Sequence, residues 1–202
     1  QLPATMNLRR AATRIPVSFL GQPLIDTSYR LFDRRVANRL KAGPAALIGY
    51  EAGCLTSFRR AGELGMVRIL DAASFEARFQ SECLPGTNSA QALAHKDAEV
   101  SEADFILTCS QLAAESYRKI WPEKPVVALP LGVDLDRFAP GQNDVQDIDL
   151  LFVGHVTRTK GADILADALA RLSQSYPSMR AALVSNRATA DRAIARQLEN
   201  SV

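Results

Sequence analysis

The stretch of this sequence best equipped for chemistry is Leu150-Leu151-Phe152-Val153-Gly154-His155-Val156-Thr157-Arg158-Thr159-Lys160-Gly161. An apolar run ends at Gly154, a polar loop comes next, and Lys160-Gly161 opens an amphipathic segment. A strand that feeds a helix through such a loop offers unpaired backbone N–H groups and the positive end of the helix dipole to an anion. Lys160 adds a full charge, so a diphosphate at the carboxyl edge of a parallel sheet would suit the site. The spacing is G-x5-K-G, not the G-x4-G-K-[ST] of a P-loop, and no Ser or Thr comes after the lysine to hold magnesium. The same residues also fit an ordinary strand-to-helix turn with a solvated lysine.

The elements that must position this turn alternate along the whole chain. Residues 26–40 have helical spacing, with Leu31, Phe32, Val36 and Leu40 on one face, and Gly43-Pro44 stops them. Residues 45–50 read as a strand, 55–64 as a helix capped by Gly65, and 66–70 as a strand. Residues 75–84 have no clear period, and 89–102 predict a polar, exposed helix. A strand at 105–108 leads to Ser110, an N-cap for a helix that ends before Trp121-Pro122, and 126–129 is again a strand. After the turn-rich Ala139-Pro140-Gly141-Gln142-Asn143-Asp144 the pattern restarts, with strands at 149–153 and 181–184 and helices at 162–172 and 189–198. The first of those helices carries a stripe of Ile164, Leu165, Ala168, Leu169 and Leu172. Strands separated by helices pair in parallel, so the fold class is α/β. The predicted organisation is one Rossmann-like domain over 1–138, a linker over 139–148 and the first part of a second domain over 149–202. Two strands cannot close a parallel domain with helices on both faces, so the second domain reads as truncated.

Composition narrows the function classes. The chain has 202 residues, 47% hydrophobic and 23% charged, as in a soluble globular protein. A net charge of +2 points to neither a nucleic-acid partner nor an acidic tail, and arginine pairs such as Arg34-Arg35 and Arg59-Arg60 fit solvated helix faces. Cys54, Cys83 and Cys109 are odd in number and lack CxxC spacing. They argue against a disulfide framework or a zinc site and suit a reducing, cytoplasmic setting. No apolar run approaches the roughly 20 residues of a membrane span, and Gln1-Leu2-Pro3-Ala4-Thr5 lacks a signal-peptide core. The chain opens on Gln1 rather than Met, which reads as a start within a longer protein.

The segment Val126-Val127-Ala128-Leu129-Pro130-Leu131-Gly132-Val133-Asp134-Leu135-Asp136-Arg137-Phe138-Ala139-Pro140 resembles the inter-domain signature of family 4 glycosyltransferases. There a strand leads into N-G-V-D-x-x-x-F-x-P, and here Leu131 replaces the Asn. In physical terms Gly132 permits a tight turn, Asp134 can cap the next turn, and Phe138 can anchor the linker in a core. The family's donor-domain opening, a strand with G-R-x-x-x-x-K-G, is matched downstream by Gly154 to Gly161. Ala103-Asp104-Phe105-Ile106-Leu107-Thr108-Cys109-Ser110 is similar to its A-D-x-[IV]-[IL]-x-x-S strand. Tyr50-Glu51-Ala52-Gly53 and 57–65 resemble a helix region of some bacterial members, so the likeness spans 45–185.

The resemblance implies a GT-B-like fold, two Rossmann-like domains with parallel sheets, both incomplete in this chain. It implies sugar transfer from a nucleoside-diphosphate sugar to an acceptor, with retention of configuration and hexosyltransferase-like chemistry; a truncated chain would be inactive. Gly154, His155, Arg158, Lys160 and Gly161 are the implied donor-phosphate residues. His155 stands where the family has Arg; it could donate a hydrogen bond or be structural, and Arg158 could restore the charge. Asp71 stands approximately where members often place a His facing the sugar, as a catalytic candidate or as a cap for the next segment. Glu51 is a further cleft candidate. Glu115 and Glu123 have the family's E-x7-E spacing, but they precede the hinge and Trp121-Pro122 interrupts them, so the true motif is expected beyond Val202. The implied co-substrate is the nucleotide-sugar, with no other cofactor and no metal. The acceptor is a glycan, a lipid-linked group or a small molecule, nucleic acid is not a partner, and peripheral membrane association of the full-length protein is compatible. Two rivals stand: a nucleotide-sugar epimerase of this architecture, and a non-catalytic α/β protein binding a ligand between two lobes.

Overall fold

The structure, a computed structural model, describes residues 21–43, 45–139, 147–186 and 190–199. It is α/β with parallel sheets, and its internal contacts divide the chain into two compact units, Gln1–Val133 and Asp134–Val202. Most of the predicted linker, 140–146, lies outside the described residues, as do Pro44 and Thr189.

The first unit runs α1 (Gly21–Ala37), β1 (Ala46–Tyr50), α2 (Leu55–Glu63), β2 (Val67–Ala72), α3 (Ala77–Cys83), α4 (Ala90–Glu102), β3 (Phe105–Thr108), α5 (Gln111–Ile120) and β4 (Val126–Ala128). Its four strands lie in the order β1-β2-β3-β4 and all pair in parallel. Because strand side chains alternate in direction, Leu70, Ile106 and Val126 share one face. They pack with Phe58 of α2, Val100 of α4 and Ala114 and Tyr117 of α5. Gly49 is what lets α2 come this close. A Cβ there would sit 2.5 Å from the Cβ of Cys54 and 2.7 Å from the ring of Phe58. α2 ends as its sequence predicts: Gly65 is left-handed (φ 69°), and Met66 N–H donates to the Ala61 carbonyl.

The structure corrects the sequence reading at four places in this unit. α1 does not bury a stripe of Leu31 and Phe32, which are exposed; it buries Ser28, Asp33 and Ala37. β2 extends to Ala72, so Asp71 lies within the strand and not at its end. The aperiodic 75–84 forms α3, because Glu76 accepts from the N–H groups of Arg78 and Phe79 and starts the helix. α4 is not exposed all round: Glu99 and Val100 are buried. Asp104 of the A-D strand takes a two-pronged contact from Arg68 at 2.7 and 3.0 Å, at the amino edge of the sheet. That pairing holds the Asp104 carboxyl below its ordinary range, and it marks the motif as structural.

The second unit pairs β5 (Leu150–Val153) in parallel with β6 (Ala181–Val184); α6 (Ala162–Ser175) connects the two strands and α7 (Arg192–Glu199) comes after β6. Val156, Ala162, Ala166, Leu169, Ile194 and Leu198 form its core. The buried stripe of α6 is therefore rotated from the predicted one, and Ile164 is exposed. Upstream, Asp134 accepts from the N–H groups of Asp136 and Arg137. Phe138 is 64% exposed and stacks under Arg137 rather than entering a core. Gly132 takes none of the positive-φ conformations that would have required glycine. In both sheets one face is uncovered among the described residues, bearing Ile48, Val67, Phe105 and Val127 in the first and Leu151 and Val153 in the second.

Candidate functional site

The lysine turn is built almost wholly by local backbone. Gly154 N–H donates to the Val184 carbonyl at 3.0 Å and carries the ladder one residue past β5. A single 3-10 turn, Arg158–Lys160, then intervenes, and α6 begins at Ala162 rather than at Lys160 or Gly161. Gly161 is its N-cap in the left-handed region (φ 68°, ψ 22°), where an L side chain is strained even though the space around it is open. Lys160 and Ala162 N–H both donate to the Thr157 carbonyl, at 3.1 and 3.2 Å, and Gly161 N–H donates to that of Arg158 at 2.9 Å. The expectation of free amides at Lys160 and Gly161 is thus corrected: the 3-10 turn uses them. What remains open is the first turn of α6, where no side chain caps the helix among the described residues. Lys160 and His155 are exposed. Lys160 makes no ion pair among the described residues, whereas Arg158 lies 3.2 Å from Asp163 and spends its charge there.

The carboxyl edge of the first sheet gathers acidic groups. Glu51 comes directly after β1, and its N–H donates to the Asp71 carbonyl at 3.1 Å. Its Oε2 accepts from Ser74 Oγ at 2.9 Å. Burial pushes the Glu51 carboxyl above its ordinary range, with Lys96 and Ser74 opposing and Glu99 and Asp71 adding to the rise. Asp71 is exposed beside it. Asp71 does not cap the next helix, a role that falls to Glu76. The structure therefore brings Glu51 and Asp71 together on one edge, and Gly154, His155, Arg158, Lys160 and Gly161 together on another.

Three residues that sequence reasoning passed over organise the first edge. Glu99, 1% exposed, accepts from Ala52 N–H at 2.7 Å and Cys54 N–H at 2.9 Å. His95 Nε2 lies 3.3 Å from the same carboxylate, which holds the imidazole above its ordinary range. Asp33 of α1 accepts from Thr56 and Ser57 N–H at 2.6 and 2.8 Å. The i,i+4 spacing of His95 and Glu99 is visible in sequence, but the partners of Glu99 lie 45 and 47 residues away. The starts of five other helices are closed by a side chain: Asp33 at α2, Glu76 at α3, Ser89 at α4, Ser110 at α5 and Asp191 at α7. Among the helices after α1, α6 is the exception within the described residues.

No group of three or more His, Cys, Asp or Glu is placed to hold a metal among the described residues. No helix there is long and apolar enough to cross a membrane.

Comparison with known proteins gives a coarse likeness. No family model matches the chain. It is 31% identical over 96 residues to a D-inositol 3-phosphate glycosyltransferase of Actinosynnema mirum, a match covering 42% of this chain and 23% of that protein. The chain therefore spans about a quarter of that relative's length and is glycosyltransferase-like over the matched part. Among solved structures it is similar to a UDP-glucosyltransferase from Polygonum tinctorium, at 15% identity and a TM-score of 0.42, covering 96% of this chain and 53% of that one. It is also similar to UGT2 of Phytolacca americana, at 18% identity and a TM-score of 0.37, covering 83% and 54%.

Proposed function

We propose that the turn after β5 seats the diphosphate of a nucleoside-diphosphate sugar, and that the whole protein transfers the sugar to a hydroxyl-bearing acceptor. The observation that carries this reading is the start of α6, uncapped by any side chain among the described residues and beside Lys160, which makes no ion pair among them, when the starts of α2, α3, α4, α5 and α7 are closed by side chains. An incoming phosphate would complete the cap that the chain omits, and Lys160 would balance the charge that grows on the departing diphosphate. The glycosyltransferase likeness supports the reaction class, and the relative's name, which specifies an inositol phosphate, supports a polyol acceptor.

In this reading the first unit faces the acceptor, with Glu51 and Asp71 on its carboxyl edge, and the two units belong to a GT-B-like enzyme. Retention of configuration, membership of family 4 and the lack of any cofactor beyond the nucleotide-sugar are part of the same proposal and rest on the sequence resemblance, and a cytoplasmic setting rests on the number and spacing of the cysteines. Calorimetry of the full-length protein with UDP, GDP and ADP tests it. Binding of at least one diphosphate is expected, weakened in Lys160→Ala. Equal affinity in folded wild type and variant would move the non-catalytic binding protein ahead.

A further inference from the structure

Ala52 is the one described residue other than glycine with a positive φ, 68°. An L side chain there is strained, and such strain persists only where surrounding contacts impose it. The glycine of this turn is the next residue, Gly53, which does not take the left-handed conformation. Locally, Gly53 N–H donates to the Tyr50 carbonyl at 3.3 Å and closes a turn with Ala52 at its third position; from far along the chain the buried carboxylate of Glu99 holds that turn, accepting from the N–H groups on both sides of Gly53, those of Ala52 and Cys54.

This arrangement is not simply a helix cap. The first-turn amides of α2, Thr56 and Ser57, are already taken by Asp33. Glu99 holds the residues before the helix, which are the ones that set Glu51. Glu51 is tied to β2 through its N–H and to Ser74 through Oε2, while Oε1 accepts no hydrogen bond among the described residues. A largely desolvated carboxylate with one oxygen open, flanked by Asp71 and Lys96, makes a strong hydrogen bond to a ligand hydroxyl only if it is fixed beforehand.

We propose that Glu99 is a positioning residue: it pins Ala52 in the left-handed conformation and so aims Glu51 Oε1 at a hydroxyl of a polyol acceptor. The inference rests on the transfer reading above. His95 supports Glu99 from the preceding turn of α4.

The test uses the full-length enzyme with a donor and a polyol acceptor, and the variants Glu99→Gln, Glu99→Asp and Ala52→Gly combined with Glu99→Gln. Glutamine keeps the shape but turns one of the two acceptor oxygens into a donor facing an N–H. Glu99→Gln is expected to raise the acceptor KM by roughly tenfold to a hundredfold, as a displaced contact does, while the donor KM stays constant. Ala52→Gly should recover much of that loss, since glycine adopts the conformation unaided. Should Glu99→Gln fail to fold, Glu99→Asp, which retains the charge but withdraws it by one methylene, carries the same expectation. In an active enzyme, an unchanged acceptor KM, donor and acceptor KM rising together, or no recovery with glycine would overturn the positioning role alone. A wild type that transfers no sugar to any hydroxylated acceptor would overturn the transfer reading and the acceptor role with it.

Discussion

Two turns occupy equivalent places in the two units, each joining the first described strand to the next helix, and they differ in what side chains from elsewhere add to them. In the turn of 50–54 a single local bond, Gly53 N–H to the Tyr50 carbonyl, is supported by remote carboxylates: Glu99 holds Ala52 and Cys54, and Asp33 closes the start of α2. In the turn of 154–161 the shape comes from local backbone bonds to Thr157 and Arg158, and a glycine occupies the left-handed position. The first turn is therefore sealed. Its positive dipole end is already neutralised, and a phosphate brought there would meet two buried carboxylates. The second is open, with an uncapped helix start and an exposed lysine. The difference teaches where an anion can be held: topology supplies the same helix end twice, and side chains brought from elsewhere decide which one stays available.

The comparison can be broken most sharply at Asp33. Asp33→Ala would leave the buried Ser57 N–H unpaired and remove the cap of α2, a loss of about 2–4 kcal/mol from the two effects together. Thermal unfolding of the first unit should move down by on the order of 10 °C. Lys160→Ala, by contrast, removes an exposed side chain and should leave the unfolding temperature nearly unchanged. If Asp33→Ala were equally silent, the first turn would not depend on its remote carboxylate.

Ligand binding should show the reverse pattern. Lys160→Ala should lose about 1.5–3 kcal/mol of diphosphate affinity, a charge-assisted contact, or roughly 10- to 150-fold. His155→Ala should lose less, and His155→Arg should bind as tightly or more tightly. Calorimetry on the same preparations separates these outcomes, and diphosphate affinity should not respond to Glu99→Gln.

The two left-handed positions offer a paired exchange of smaller size. Gly161→Ala should cost about 1–2 kcal/mol of stability from backbone strain alone, because the space around it is open. Ala52→Gly relieves a similar strain but adds about 0.4–1 kcal/mol of chain entropy to the unfolded state, so its net effect should lie near zero or be slightly stabilising. Chemical denaturation of both variants measures the contrast; a large loss in Ala52→Gly would contradict the strain assigned to that turn.

The smallest effect is a pH dependence confined to the sealed turn. Glu99 raises the folded pKa of His95, with Asp33 in support and burial and Arg30 opposing. A raised histidine stabilises the fold fully below its unfolded value of about 6.5, and that contribution is lost as pH rises through the folded value. The gap in unfolding temperature between wild type and His95→Gln should therefore be widest on the acid side and close as pH increases. A gap that widens with pH would reverse the assignment.

Much of the fold was legible along the chain because its determinants are short-range. Alternating apolar runs located the six described strands, and Gly65 and Ser110 marked a helix end and a helix start where the structure has them. The amphipathic faces were less legible. α1 buries Asp33 and Ser28, polar residues that a hydrophobic periodicity discounts, and α4 buries Glu99 for the same reason. Of the candidate site, the Gly154-to-Gly161 turn could be found because its chemistry lies within one loop.

By itself, then, the sequence determined what depends on neighbours within a few residues: parallel strand–helix units, a glycine where the chain turns into α6, and a lysine beside that helix start. Only the tertiary structure decided which helix starts are closed and which polar residues are buried. Asp33 meets Ser57 across 24 residues and Glu99 meets Ala52 across 47. No local propensity encodes such partners, because a carboxylate becomes a cap only when packing of the core carries it to amides that water can no longer reach.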